Sequence, residues 1–183
     1  MDAVHHIQAV IRDMTTPSWL RSVPHNFGYT AAGSLKADEW RTMATVYLPV
    51  ALVSLWGEGT THASPRIASS ARRALDHTMA LVSAISLACM RTMTESRRKS
   101  YRRYILSWME DLTVVHPDAK HSVNGHMAIH IYDFLRFFGP VRSWWCFPFE
   151  RVIGQLQRLP SNHKFGMSFL DASTLSFVDN IFR

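Results

Sequence analysis

Arg91, Arg97, Arg98, Lys99, Arg102 and Arg103 crowd between residues 91 and 103, with Glu95 as the acid among them. Long cationic side chains at this density suit backbone phosphates, and each such contact adds to the salt dependence of binding. Tyr101 and Tyr104 interleave with them. The same residues also suit a solvated helix end whose tyrosines belong to the core, so base stacking does not follow. His126 and His130, four apart, share one side of any helix with Asp133. Three such groups can hold a metal ion. The spacing H-x-x-x-H has no glutamate inside it and no evident fourth ligand, so a hydrogen-bonded structural pair, or a flank of the core, explains it better than a metal site. Glu150 is the acid in the apolar run Phe147-Pro148-Phe149-Glu150-Arg151. With Pro148 at the first helical position, Glu150 falls in the first turn, where the helix dipole stabilises its charge. Its alternative role, a metal-coordinating carboxylate, needs acidic partners. Asp2, Asp13, Asp38, Asp76, Asp111, Asp118 and Asp133 are available, and spacing nominates none.

Helical periodicity supplies the elements that must position these groups. Val4, Ile7, Ile11 and Met14 mark a first helix, with Asp2 as its N-cap. Pro17, Pro24, Gly28 and Gly33 then make residues 15–34 a linker or irregular arm. A helix is expected from Leu35 to Trp56, kinked or broken at Pro49, which lacks a backbone donor. Ser64-Pro65 opens the next, which should run to about Thr92 with Ile67, Ala71, Ala74, Thr78, Val82, Ile85 and Cys89 inward. Another starts near Glu95 or Ser96 and turns Tyr101, Tyr104, Ile105, Trp108 and Leu112 inward. A fifth, from about Ser122 to Phe137, turns Met127, Ile131, Phe134, Leu135 and Phe138 inward and stops at Gly139-Pro140. A loop or extended stretch covers residues 141–147, a helix covers Pro148 to Arg158, and a weak last helix is expected within Phe169 to Phe182. No stretch alternates with period two over strand length. The fold class is therefore all-α, an irregular bundle of about five to seven helices with an irregular N-terminal arm.

Composition narrows the function classes. Hydrophobic residues make up 47% of 183, enough for a packed core in one domain plus an arm. Cys89 and Cys146 form no C-x-x-C pair, which argues against a disulfide framework and favours an intracellular setting. The net charge of +6 favours an acidic partner, nucleic acid first. The N-terminus lacks the pattern of a signal peptide. Residues 44–56 and 79–90 are apolar but far short of the roughly 20 residues that span a bilayer, so no membrane is expected. Phosphate-loop, dinucleotide, nucleophile-elbow and H-E-x-x-H motifs are absent from the sequence.

Several runs together resemble a known family. Leu35-Lys36-Ala37-Asp38-Glu39-Trp40-Arg41 with Tyr47-Leu48-Pro49 resembles a segment of CACTA (En/Spm-like) transposases. Asn124, His126 and His130 continue the likeness. It is strongest at Phe138-Gly139-Pro140 and at residues 143–151, the S-W-W-C-F-P-F-E-R run. Gln155-Leu156-Gln157-Arg158 and Asn162-His163-Lys164 fit fungal versions. The resemblance spans roughly Val23 to Gly166 and implies a nuclear, DNA-related protein. Its family has an RNase H-like core in which three acids hold two Mg2+ or Mn2+ ions, with a helical segment before the third. On that likeness Glu150 corresponds to the last acid, while the upstream strands and first two acids are missing. The implied organisation is an N-terminal helix and arm over 1–34, a transposase-like helical domain over 35–166 and a divergent tail over 167–183. A fragment or remnant, inactive alone, is therefore expected. Its partners would be DNA, the missing catalytic core or other transposase chains. The alternative is a non-enzymatic helical interaction or nucleic-acid-binding module of transposon origin.

Overall fold

The computed structural model describes residues 2–20, 22–119 and 122–156, with Arg151 by its backbone alone. Its helices are α1 (Ala3–Asp13), α2 (Ala37–Thr42), α3 (Leu48–Trp56), α4 (Pro65–Ala88), α5 (Glu95–Val115), α6 (Val123–Phe137) and α7 (Phe147–Leu156). Short 3-10 turns occupy Thr30–Ala32 and Val141–Ser143. A π turn, Met43–Tyr47, joins α2 to α3 into one continuous rod. The protein is all-α, with no strand among the described residues. The chain divides into two compact units, Met1–Trp145 and Cys146–Arg183. The helix expected within Phe169 to Phe182, and the rest of the tail over 167–183, lie outside the described residues.

Short polar side chains start α1, α4, α5 and α6. Asp2 Oδ1 accepts from the Val4 amide, and Ser64 Oγ from Ile67. Thr94 Oγ1 accepts from Arg97, and Ser122 Oγ from Gly125. Each satisfies an amide that the helix itself leaves unpaired. Gly139, at φ 75°, turns the chain out of α6 in a conformation that side chains with a Cβ resist. The helix expected to reach Thr92 ends at Ala88 instead. The Arg97 guanidinium reaches back to the Thr92 carbonyl at 2.8 Å and holds residues 89–94 as a turn into α5.

Pro49 does not break its helix. A proline inside an α-helix removes one hydrogen bond and pushes its ring against the carbonyl four residues earlier. Here the strain is taken up one turn upstream, where the Leu48 amide donates to Met43, five residues back. The wider turn keeps Met43, Tyr47 and Ala51 all buried.

Two apolar clusters form the core of the first unit. In one, Ile7 and Ile11 of α1 meet Val23, Met43, Tyr47, Ala51, Leu52 and Leu75. In the other, Ala84 and Ala88 of α4 meet Tyr101 and Ile105 of α5 and Leu135 of α6. Helix α4 feeds both, Leu75 from its first half and the two alanines from its second. The boundary expected after residue 34 is no break in packing. Helix α1 sits in the first cluster, and Gln8 Nε2 donates to the Phe27 carbonyl of the arm at 2.8 Å.

Two expected inward faces need correction. Ile67 is 51% exposed and borders an open apolar groove with Trp56, Ala71 and Ala74. In α6, Leu135 is buried as expected, but Met127, Phe134 and Phe138 are exposed. The packed face is Ala128, Ile131, Tyr132 and Leu135, turned by roughly 60° at 100° per residue. The Tyr101 hydroxyl fixes that rotation by donating to the Ala128 carbonyl at 2.6 Å.

Candidate nucleic-acid interface

Successive residues of α5 advance by 100°, which sorts the cationic cluster into separate roles. Arg98, Arg102, Lys99 and Arg103 follow one another around an arc of roughly 140°. Arg97 falls well off that arc, on the side of the partly buried Tyr104 and Trp108, where it is tied to Thr92. It serves the α4–α5 turn rather than a shared cationic surface. Arg91 is exposed in that same turn.

Arg98 is also structural. Its side chain is 14% exposed, pairs with Glu95 and lies with its guanidinium carbon 5.1 Å from the centre of the Tyr132 ring. Arg102 approaches the same ring at 5.0 Å. Tyr132 of α6 is thus flanked by two guanidinium groups from one side of α5, a cation–π arrangement in which Arg98 is nearly buried and Arg102 remains exposed. Sequence reasoning missed Tyr132. Nothing in the local spacing of α5 points to it, because the partner lies on another helix, 34 residues from Arg98.

Lys99 and Arg103 face solvent, although the Arg103 guanidinium also lies 4.9 Å from the centre of the Tyr104 ring. Both are exposed, and they line a shallow depression with Glu95, Ser96 and Ser100. Lys99 Nζ lies 3.6 Å from Glu95 Oε1, a solvent-screened ion pair that a phosphate can replace. Two cations and two hydroxyl donors along one helix face make a donor set for a polyanion backbone.

The two other sequence-nominated sites are carried by α6 and, in the second unit, by α7. His126 Nε2 and His130 Nε2 approach to 3.3 Å on exposed α6, and Asp133 Oδ2 stands 4.0 Å from His130 Nδ1. The three share a face, as the spacing requires, on the side of α6 away from Tyr132. In the second unit, Glu150 stands in the first turn of α7, exposed, with its amide bonded to the Cys146 carbonyl at 2.9 Å. Among the described residues, no three His, Cys, Asp or Glu side chains are grouped to hold a metal ion. No helix searched is long and apolar enough to cross a membrane.

Two runs from the family resemblance meet in the first unit. Arg41, the last residue of L-K-A-D-E-W-R, lies 5.5 Å from the centre of the Trp145 ring, and Arg142 lies 5.1 Å from it. Arg142 Nε also donates to the Cys89 carbonyl at 2.9 Å, tying this stretch to the end of α4. Burial raises the Cys89 thiol above its ordinary pKa, partly opposed by Arg41 and Arg142, whereas Cys146 is exposed. A further group missed in the sequence is His77. It is 5% exposed, lies against Trp108 and His116, and its Nδ1 has no hydrogen-bond partner. Burial first, then the nearby His116, lowers its pKa, and Asp111 opposes them. No family model matches this chain, and neither a curated protein nor a solved structure matches it.

Proposed function

We propose that this chain is the late helical part of a CACTA-type transposase, resting on DNA backbone through the exposed side of α5. The observation that carries the DNA reading is the set Lys99, Arg103, Ser96 and Ser100 on one open helix face. The transposase assignment rests on the ordered motif runs, above all the one that puts Glu150 in the first turn of α7. On this reading Glu150 is the last of three acids that hold Mg2+ or Mn2+. One carboxylate cannot bridge two ions, so the other acids come from a catalytic core supplied alongside, in the nucleus. Contacts with phosphates alone imply binding that ignores sequence and weakens steeply with salt.

Duplex binding measured across a salt series tests the DNA contact. Lys99→Ala with Arg103→Ala should flatten the log–log salt slope by about two. Equal affinity at low and high salt, or a slope unchanged in that variant, overturns it. Supplying the catalytic core as a fusion tests the other half. Metal-dependent strand cleavage should appear and be lost in Glu150→Gln, and cleavage that survives the substitution overturns the assignment. A non-enzymatic interaction module is the second reading. It is favoured by Met127, Phe137 and Phe138, which leave apolar surface exposed on and just after α6.

A further inference from the structure

We infer that His126 and His130 form a chelating site for a borderline-soft divalent ion of the Zn2+ or Ni2+ class, with Asp133 as the outer carboxylate that orients His130. The inference is independent of the transposase reading and concerns a different ion class from Mg2+.

Geometry carries it. Two nitrogen ligands bound tetrahedrally at 2.0–2.1 Å stand about 3.3–3.4 Å apart. The two Nε2 atoms stand 3.3 Å apart, so the pair already spans one edge of such a coordination shell. Both histidines are exposed, in the second and third turns of α6, His130 with 47% of its side chain accessible, so an ion reaches them from solvent. Both also sit on one helix, which fixes their separation before the ion arrives and lowers the ordering cost of binding.

The chemistry of the rings fits as well. A metal-bound histidine presents one ring nitrogen to the ion and turns its other N–H to a carboxylate or carbonyl. Asp133 Oδ2 lies 4.0 Å from His130 Nδ1, the nitrogen opposite the one that faces His126. A proton held at Nδ1 toward Asp133 leaves the Nε2 lone pair directed at the shared point. His126 then need only carry its own proton on Nδ1 to offer a second lone pair. Imidazole nitrogens suit Zn2+, Ni2+ and Cu2+, whereas Mg2+ requires oxygen ligands. Two protein ligands leave the remaining positions to water or to a donor from a partner.

Titration of the full chain with Zn2+ and, separately, Ni2+ by calorimetry tests the site. The chain has ten histidines, so variants must separate this pair from background. His126→Ala and His130→Ala should each lower the affinity of the tightest class at least tenfold. Asp133→Asn should weaken it by about tenfold, the usual scale for an outer partner. Mg2+ should give no heat at the same concentrations. A thermal shift on Zn2+ addition should be present in the parent chain and absent from the double variant. Unaltered Zn2+ affinity in the double variant, with a native circular dichroism spectrum, overturns the site. Mg2+ binding with equal strength overturns the ion class.

Discussion

Arg98 and Lys99 are sequence neighbours with opposite tasks, and mutation should separate them. Arg98→Ala removes a nearly buried cation from Tyr132 and from Glu95. It should cost about 1–2 kcal/mol of stability in chemical unfolding while leaving the salt slope of DNA binding almost intact. Lys99→Ala should do the reverse. His77 sets a pH dependence. Its native pKa lies below the ordinary 6.5 because burial disfavours the charged ring. The unfolded chain therefore takes up a proton that the native chain refuses. Stability is full above about 6.5 and is lost as pH falls from there toward the native value. His77→Phe, which keeps the ring and removes the orphaned Nδ1, should make that acid loss shallower in urea unfolding measured from pH 7.5 to 5. Equal acid loss in both proteins would remove His77 from the account.

At the scale of elements, the π turn before Pro49 makes its own prediction. A proline in a regular helix interior costs about 3 kcal/mol. Here the Leu48 amide has already shifted to Met43, and the register is held by buried Met43, Tyr47 and Ala51. Pro49→Ala should therefore change the unfolding free energy by less than about 1 kcal/mol. Helix starts were legible in the sequence because a capping side chain acts within three residues: Ser64, Asp2 and Ser122 all cap as their positions imply. Helix rotation was not. Apolar spacing on α6 favoured Met127, Phe134 and Phe138, but one hydroxyl from Tyr101 and two guanidinium groups on Tyr132 select the neighbouring face. Those partners lie about thirty residues away, beyond the reach of periodicity. The cationic cluster shows the same divide. Its existence was plain from composition, but the withdrawal of Arg97 and Arg98 into structural contacts depended on Thr92, Glu95 and Tyr132.

At the scale of the first unit, α4 makes two cores interdependent. Leu75 enters the cluster with α1 and α3, while Ala84 and Ala88 enter the cluster with α5 and α6. Leu75→Ala should cost about 2–5 kcal/mol through the lost side chain and the cavity left behind. The cost should not stay local. Amides of α5, which never touch the mutated cluster's centre, should lose hydrogen-exchange protection along with those of α1. Destabilisation confined to α1 and α3 would mean that the two cores open separately.

The unequal surroundings of the two thiols offer a practical handle. Alkylating reagents attack the thiolate, and reaction rate follows both its population and its accessibility. Cys89 is half-buried with its ionisation suppressed, while Cys146 is open to solvent one residue before α7. A brief maleimide treatment at neutral pH should therefore modify Cys146 first, which peptide mass mapping would establish. A dye attached there would sit beside the helix that carries Glu150 without any engineered cysteine. Its emission could report on that helix as DNA or a catalytic core is added.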